Sequence, residues 1–471
     1  MQVDVDLKLD GFFSQWLTDV STVKILNEIA AAADALEQGK EVDFDFGLFN
    51  ETKTTSRPQP KLPQTMVTPQ KSVINPTMTK SNLGRIQLEP YQNVQIPTFY
   101  GPGDTSQEMN EVKALIKGDS ITTQILDVIL KDQCSLPGCF APVIIKLYGS
   151  DVTKFLSFYE KHIAGRDPDE RFFRFCAGPH KNAIIPNDLT LFVQSIIETH
   201  ESLNFLENEP LFQEKFVDFI VTRCFYQMDT ELRGTANVTQ FRKYGMASIF
   251  LNAFMMPDIN ETHHIFNYQH FYVAFCKFWD LDVDNDGFIC KDDMLKFNDS
   301  TISPLIIDRF FKSTAYPRNQ SKRQNIDFPA FSYFLMSSED KTNRTSINFW
   351  YRICDLDDDG ILSMSEIEQL YAVQFEQIKM TGNETIPFED IQKQLIDVIS
   401  PTNPAYVTVE DLIRSKQADM FFNTLFDIQK FLTKEYSFPI VSPSLDEATK
   451  ALTPWETYVL HEYDQLVSDS S

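Results

Sequence analysis

The pattern of apolar and polar residues divides the chain into three parts. Between residues 12 and 36 the apolar side chains recur mostly at three- and four-residue steps, which predicts one amphipathic helix or two short ones. Residues 51–92 are rich in Pro, Ser, Thr, Gln and Lys with few aromatic side chains, so we expect a flexible, disordered linker. From about residue 111 to residue 466 apolar residues follow a 3.6-residue period, which predicts an all-helical array.

One stretch of the helical part carries five carboxylates in twelve residues and no Lys or Arg. It reads DLDDDGILSMSE, from residue 355 to residue 366. Like charges this close repel unless a cation lies between them. Acidic residues stand at positions 1, 3, 5 and 12, glycine at position 6 allows a sharp turn, and position 7 offers a backbone carbonyl, which is the pattern of an EF-hand calcium loop. The predicted Ca²⁺ ligands are Asp355, Asp357, Asp359, Glu366 and the carbonyl of Ile361.

A second stretch, DVDNDGFICKDD, fits the same pattern upstream. Its last position holds aspartate, which is one methylene shorter than glutamate, so coordination through two oxygens is harder. We therefore expect this loop to bind Ca²⁺ more weakly than the 355–366 loop, or to accept Mg²⁺ as well. The predicted ligands are Asp282, Asp284, Asp286, Asp293 and the carbonyl of Phe288.

EF-hands normally pack in pairs through their loops, so each metal loop needs a neighbour. The sequence contains degenerate loops that keep part of the pattern but lose metal-ligand positions: residues 229–240 keep Gly234 and lose positions 5 and 12, and residues 400–411 keep an acid at position 12. The degenerate units are residues 319–330 with Ile326 and residues 400–411 with Val407 at the inward-facing position, residues 229–240, and a weaker unit around Ile184 and Ile185.

This repeat predicts an all-α fold: an elongated array of EF-hand and EF-hand-like helix–loop–helix pairs, in which two of five or six hands bind metal. A helical N-terminal segment and the linker precede the array. The expected regions are 1–50, the N-terminal segment without an assigned role; 51–95, the linker; 96–268, a degenerate EF-hand-like region; 269–340, a pair with the 282–293 loop; and 341–471, a pair with the 355–366 loop and the C-terminal helices.

The net charge of the chain indicates which kinds of partner it favours. The chain has 42 basic and 67 acidic residues, a net charge of −25, which disfavours nucleic acid and anionic lipid and favours cations or basic protein surfaces. We find no run of about 18 apolar residues for membrane insertion and no basic secretory signal. We therefore expect a cytoplasmic protein, with the nucleus and the cytoskeleton left open.

Cysteine offers an alternative metal site. Cys134, Cys139, Cys176 and His180 could in principle bind zinc, but their spacing fits no tight zinc knuckle. We favour buried, reduced cysteines, because the seven cysteines are scattered and odd in number.

Several blocks are too long and irregular to follow from EF-hand constraints alone. They resemble the B-double-prime regulatory subunits of protein phosphatase 2A, and so do IPTFYGPGD at 96–104 and residues 199–226. The resemblance covers residues 96–467 and leaves the first 90 residues unmatched. Gly287 departs from it, because a larger residue is expected there, but glycine makes the loop more regular. The main blocks are residues 270–286, 337–374, 407–435 and 455–467.

The resemblance implies a non-catalytic subunit that binds the scaffold and catalytic subunits of the phosphatase, selects phosphoprotein substrates and responds to calcium. The sequence agrees in lacking a nucleophile with a base, a phosphate-binding glycine loop and an HExxH-type motif, so we predict no enzymatic activity. The alternative is an EF-hand adaptor or cytoskeletal protein independent of the phosphatase. Such a protein would have no reason to carry RSKQADMFFNTLFDIQKFL at 414–432.

Overall fold

The computed structural model describes residues 105–261, 265–312, 325–436 and 452–468. These residues form helices joined by loops and two-residue strands, which confirms the predicted all-α array. The predicted N-terminal helix, the linker and residues 96–104 lie outside the described residues. The region boundaries drawn at residues 268 and 340 stay predictions.

Four α-helices and a π-helical turn (Leu130–Cys134) precede the first loop pair, and the carboxylate of Glu108 is one of the groups that contact it. Glu108 accepts hydrogen bonds from the Tyr159 hydroxyl (2.7 Å) and from Gly165 N (2.9 Å). It also forms an ion pair with Arg171 of the following helix (3.0 Å). The four helices are α1 (Ser106–Leu115), α2 (Thr123–Ile129), α3 (Phe140–Tyr148) and α4 (Val152–His162).

The first loop pair joins two hands through an antiparallel two-residue ladder. Ile184 lies opposite Ala236, and both are buried. This pairing confirms the degenerate units predicted at 229–240 and around Ile184. Its elements are α5 (Pro168–Ala177), β1 (Ala183–Ile184), α6 (Pro186–Thr199), α7 (Pro210–Met228), β2 (Ala236–Asn237), α8 (Val238–Tyr244) and α9 (Met246–Met255).

The second pair contains the 282–293 loop. Ile289 lies opposite Ile326, so the predicted inward residue of the degenerate partner is confirmed. Its elements are α10 (Tyr268–Leu281), β3 (Ile289–Cys290), α11 (Lys291–Met294), a 3₁₀ turn (Phe297–Ser300), α12 (Pro304–Lys312), β4 (Asn325–Ile326) and α13 (Phe328–Glu339).

The third pair contains the 355–366 loop. Leu362 lies opposite Val407, again as the inward-facing aliphatic residues predict. Its elements are α14 (Arg344–Cys354), β5 (Leu362–Ser363), α15 (Met364–Met380), α16 (Phe388–Ile399), β6 (Tyr406–Val407) and α17 (Val409–Ser415); α18 (Ala418–Phe426) and α19 (Ile428–Tyr436) follow it.

Aromatic side chains join the three pairs into one core. Phe219 of the first pair packs on Phe328 of the second, with ring centroids 6.2 Å apart. Phe334 of the second pair meets Trp350 of the third edge to face at 5.3 Å. Such contacts contribute about 0.5–1.5 kcal/mol beyond the burial of their area. The many phenylalanine residues therefore pack one hand pair against the next.

The last described helix, α20 (Pro454–Ser468), returns to the second pair and packs on α10. Trp455 is buried and donates its indole N–H to His270 Nδ1 (3.0 Å). Lys277 forms an ion pair with Glu462 (2.7 Å). The C-terminal helix thus lies against the helix that leads into the 282–293 loop.

Candidate metal centres

The 355–366 loop begins where α14 ends and curls around its first aspartate. Asp355 is buried; its Oδ2 accepts from Gly360 N (2.9 Å) and its Oδ1 from Asp359 N (3.2 Å). Gly360 has φ +86°, a conformation that L side chains rarely adopt, so glycine is needed at this turn. Carboxylate oxygens of Asp355, Asp357 and Asp359 lie within 4.8 Å of one another. The structure therefore brings together the three short carboxylates that the sequence predicted.

The last predicted ligand, Glu366, lies across the loop. Its Oε1 accepts from Leu356 N (2.7 Å), and its Oε2 accepts from Ser363 N (2.9 Å). The side chain is buried, because Glu366 stands in the first turn of α15 and forms a capping box with Ser363. Ile361 follows the third aspartate and donates its N–H to Asp359 Oδ1 (2.9 Å). Both ends of the predicted ligand set are thus held by the loop backbone.

Electrostatics in this loop favour a bound cation. Burial raises the pKa of Asp355, and the neighbouring charges of Glu366 and Asp359 raise it further, although N–H groups of the loop oppose them. A raised pKa means that the negative charge is destabilised where it stands. A divalent cation among these oxygens would remove that penalty.

The 282–293 loop repeats this geometry at its first three ligand positions. Asp282 is only 2% exposed, and its Oδ2 accepts from Gly287 N (3.0 Å). Oxygens of Asp282, Asp284 and Asp286 lie within 4.8 Å of one another. Phe288 donates its N–H to Asp286 Oδ1 (2.8 Å), and its ring is exposed. The first half of this loop therefore curls as in the 355–366 loop.

One oxygen in this loop has no protein partner in the part of the chain that the structure describes. Asp282 Oδ1 is buried and makes no hydrogen bond to the described residues. Burial, followed by the adjacent carboxyls of Asp284 and Asp286, raises the pKa of Asp282 to about 6. An acceptor that is removed from water and left unmatched costs about 1–3 kcal/mol. A metal ion is the partner that suits such an oxygen beside two further carboxylates.

The last predicted ligand of this loop, Asp293, is engaged with local partners instead. Its Oδ2 accepts from the Cys290 thiol (2.9 Å) and its Oδ1 from Lys296 Nζ (2.8 Å). Both contacts stabilise the carboxylate and hold its pKa below the usual value. Asp293 is also absent from the described cluster of three aspartates. To ligate metal it would have to give up at least one of these contacts.

Comparisons with known proteins give the chain a family. An EF-hand domain model matches residues 167–255, which cover the first pair. The beta form of the B'' regulatory subunits of serine/threonine-protein phosphatase 2A, from Homo sapiens, is 29% identical over 523 residues, with 100% of this chain and 89% of the relative covered. The delta form of Mus musculus is 33% identical over 65% of this chain and 62% of its own length. A solved PP2A PR70 holoenzyme labelled diCa is 34% identical, covers 57% of this chain and 98% of that one, and gives a TM-score of 0.53.

The chain belongs to the B'' family of protein phosphatase 2A regulatory subunits. The resemblance stated from the sequence blocks is thereby confirmed. The family also accounts for the EF-hand repeat, and a neighbour labelled diCa agrees with calcium as the metal. The individual ligand residues and the number of sites stay predictions.

The donor set of both loops fits Ca²⁺. All predicted ligands are carboxylate or backbone oxygens, which hard divalent cations prefer, and none is a thiolate or imidazole. Asp355, Asp357, Asp359, Ile361 and Glu366 would hold one ion, and Asp282, Asp284, Asp286, Phe288 and Asp293 the other. When bound, the ions would supply positive charge and cross-link the two ends of each loop.

Two degenerate loops of this B'' chain keep the loop shape, and in both the residue at the last position is engaged by protein groups. In the 229–240 loop, buried Asp229 accepts from Gly234 N (2.6 Å), yet Gln240 at the last position donates to Met228 O (2.9 Å). Buried Asp229 Oδ1, like Asp282 Oδ1, has no hydrogen-bond partner among the described residues, but no second and third aspartate converge on it. In the 400–411 loop, Asp411 is ringed by the hydroxyl and N–H groups of Thr402 and Thr408. These loops are built for pairing rather than for metal.

Sequence reasoning missed the residues outside the metal loops that contact them, and Arg309 is one of these. Arg309, on α12 of the second pair, donates to the carbonyls of Ile353 and Asp355 and lies 3.1 Å from Asp358 Oδ1. The contact spans 46 residues to Asp355, and no loop motif signals it. Only the packing of one hand pair against the next brings this cation to the loop.

The cysteines do not form the alternative metal site. Cys134 and Cys176 are buried; Cys134 Sγ lies 3.8 Å from the Tyr159 hydroxyl, and Cys139 Sγ lies 3.8 Å from Ser195 Oγ. Burial raises the pKa of Cys134 and of Cys139 to about 11, so both are thiols at neutral pH. In the part of the chain that the structure describes, only the two aspartate clusters group three possible metal ligands. Nor does any described helix combine the length and apolarity needed to cross a bilayer.

Proposed function

We propose that this B'' chain is a calcium-binding regulator that binds the scaffold and catalytic subunits of protein phosphatase 2A and directs the selection of phosphoprotein substrates. The observation that carries the proposal is the pair of EF-hand loops, each with three convergent aspartates, in a chain of this family. Relatives named as regulatory subunits support a role without catalysis by the chain itself. A cytoplasmic location is part of the proposal.

The aspartate clusters support calcium as the regulator. Each is a fixed group of negative charges with a buried first aspartate whose pKa is raised. Because the clusters belong to loops that join helices of packed pairs, filling them would change how firmly those helices are held. The surface that contacts the phosphatase would then respond to calcium through the array.

Co-purification tests the proposal. The full chain is mixed with purified scaffold and catalytic subunits in the presence of Ca²⁺ or of a chelator, and a Glu366→Gln, Asp282→Asn double variant serves as the matched control. We expect the chain to bind the core enzyme and to change its rate on phosphopeptides, with a difference between calcium and chelator that the double variant loses. The chain alone should hydrolyse no phosphopeptide. Failure to bind the core at any calcium concentration would show that the chain acts apart from the phosphatase.

A further inference from the structure

Two consecutive residues of α12 contact both candidate metal loops. Asp308 forms an ion pair with Lys291, which lies at position 10 of the 282–293 loop (2.5 Å). Arg309 forms an ion pair with Asp358, at position 4 of the 355–366 loop (3.1 Å). Consecutive helical residues share one rigid backbone, so these side chains cannot shift independently when the helix moves.

Arg309 binds backbone carbonyls at the start of the 355–366 loop. Its guanidinium donates to the carbonyls of Ile353 (3.3 Å) and Asp355, where α14 ends and the first metal ligand begins. Unpaired carbonyls at a helix C-terminus attract cations, and the planar fork of arginine can serve two of them at once. Arg309 therefore fixes the direction in which Asp355 leaves the helix.

The helix that carries both side chains is firmly anchored. Ile306, Ile307 and Phe310 are fully buried, and Phe310 packs on Phe349 of α14 with centroids 5.8 Å apart. At its N-terminal end, Ser303 N donates to Phe426 O (2.8 Å). α12 thus packs on the third pair as well as on its own hand in the second, where Phe310 also contacts Phe334 (ring centroids 5.0 Å apart).

The usual route of communication between EF-hands does not join these two loops. Paired hands communicate through the strand ladder between their loops, but β3 pairs with β4 and β5 pairs with β6. Each metal loop therefore has a degenerate loop as its ladder partner. Any direct coupling between the metal loops must use another contact, and α12 provides it.

A second arginine makes a comparable contact between the third pair and the first. Arg352 of α14 donates to Glu231 O (2.7 Å) and Leu232 O (3.3 Å) in the degenerate 229–240 loop. In both cases an arginine from a helix of a different pair binds backbone carbonyls near the start of a loop. Arginine contacts of this kind therefore join helices to loops of other pairs at two places in the described residues.

We propose that Arg309 is a positioning residue for the 355–366 loop and that Asp308 and Arg309 together couple the two metal loops, so that Ca²⁺ in the 355–366 loop increases the Ca²⁺ affinity of the 282–293 loop. The inference rests on the proposed calcium binding. With metal bound, the 355–366 loop stays in the closed form in which its carbonyls and Asp358 contact the Arg309 guanidinium. These contacts hold α12 in place. Asp308 then holds Lys291, and the 282–293 loop is better ordered before its own ion arrives.

Calorimetric titration of the full chain with Ca²⁺ tests the coupling. The affinity of the 282–293 loop is measured with the other loop intact and with it disabled by Glu366→Gln, and Asp282→Asn identifies which heat belongs to which loop. We expect the 282–293 loop to bind at least about five-fold more weakly in the Glu366→Gln chain, at the low end of ordinary coupling between sites. In an Arg309→Gln background the difference should fall below about two-fold, and Asp308→Asn should act in the same way.

Two further variants separate positioning from charge. Lys312→Gln removes one positive charge from the same helix, at a residue that contacts Asp308 but neither loop, and should leave the coupling intact. Arg309→Lys keeps the charge but loses the planar fork, and should behave like Arg309→Gln. Melting temperatures and circular dichroism show that each variant is folded.

The outcomes are distinct. Equal affinities with and without Glu366→Gln, weaker binding when the other loop is filled, or coupling that survives Arg309→Gln would overturn the proposal. Full rescue by lysine would overturn the positioning role, because charge alone would then suffice. Absence of Ca²⁺ binding in the unaltered chain would instead refute the proposed calcium function.

Discussion

At the scale of single residues, Asp411 shows how an EF-hand carboxylate is satisfied without metal. It occupies the last position of the 400–411 loop, and its side chain is only 1% exposed. Thr402 and Thr408 each donate an N–H and a hydroxyl to it, and Arg414 adds a charged contact (2.6 Å). The loop keeps its shape because hydroxyl and amide donors replace the cation.

These contacts make stability depend on Asp411 and on pH. Burial alone would raise the pKa of Asp411, but the hydrogen bonds from Thr408 and Thr402 outweigh it and hold the pKa well below its usual range. A depressed folded-state pKa gives stabilisation that is present above the unfolded value of about 3.9 and is lost as the pH falls below it. Asp411→Asn should therefore reduce the free energy of unfolding by about 1.5–3 kcal/mol at pH 7 and by less below pH 4.

Urea unfolding at several pH values measures this effect. Asp390→Asn is the matched control, because Asp390 pairs with Lys393 on the surface, and it should change stability by less than about 0.5 kcal/mol. Calcium binding should be unchanged in both variants. An Asp411→Asn chain as stable as the original at pH 7 would mean that the hydrogen bonds merely compensate for burial.

The sequence predicted the convergence of the loop aspartates but not the contacts around them. The 1-3-5-12 spacing is local, so the convergence of Asp355, Asp357 and Asp359 follows from the twelve residues themselves. The engagement of Asp293 depends on the rotamers of Cys290 and Lys296, which no spacing rule specifies. Contacts such as that of Arg309 come from another hand pair and are invisible to a local motif.

At the scale of elements, loop pairing could be predicted because one inward-facing aliphatic residue per loop marks it. Ile326 and Val407 are sufficient to place two ladders, although their loops lack the full set of metal ligands. The position of α20 could not be predicted in this way. Its partner, α10, lies far earlier in the chain: Trp455 and His270 are separated by 185 positions in the sequence.

The docking of α20 makes a stability prediction. Trp455 is 6% exposed and hydrogen-bonded to His270, so Trp455→Ala removes a large buried ring and leaves a cavity between α20 and α10. We expect a loss of about 3–5 kcal/mol in the free energy of unfolding, measured by urea titration. Leu460→Ala on the same helix is the control, since Leu460 is 45% exposed and should cost less than about 0.5 kcal/mol. Equal effects of the two variants would show that α20 does not pack on α10 in solution.

At the scale of the whole molecule, the sequence predicted the order of the hands but not their stacking. Periodic loops along the chain give the succession of units, because each unit is set by its own residues. How the pairs contact one another depends on which faces of the helices carry aromatic rings, as with Phe219 on Phe328 and Phe334 on Trp350. Those contacts join the pairs into one packed core, so metal binding in one loop can affect the stability of the other pairs.

Calcium should therefore stabilise the molecule as a whole, and the two loops should contribute unequally. A ligand present at 100 times its Kd adds about 2.7 kcal/mol per site when it binds only the folded state, so filling both loops should add roughly twice that amount relative to chelator. Glu366 already lies across its loop, whereas Asp293 is held by Cys290 and Lys296, so the 355–366 loop should bind more tightly. At a limiting Ca²⁺ concentration, Glu366→Gln should remove the larger part of the stabilisation and Asp282→Asn the smaller.

Thermal unfolding of each chain in Ca²⁺, Mg²⁺ and chelator decides the ranking. A larger loss in Asp282→Asn would reverse it, because the backbone contacts of Glu366 would then hinder metal binding rather than prepare for it.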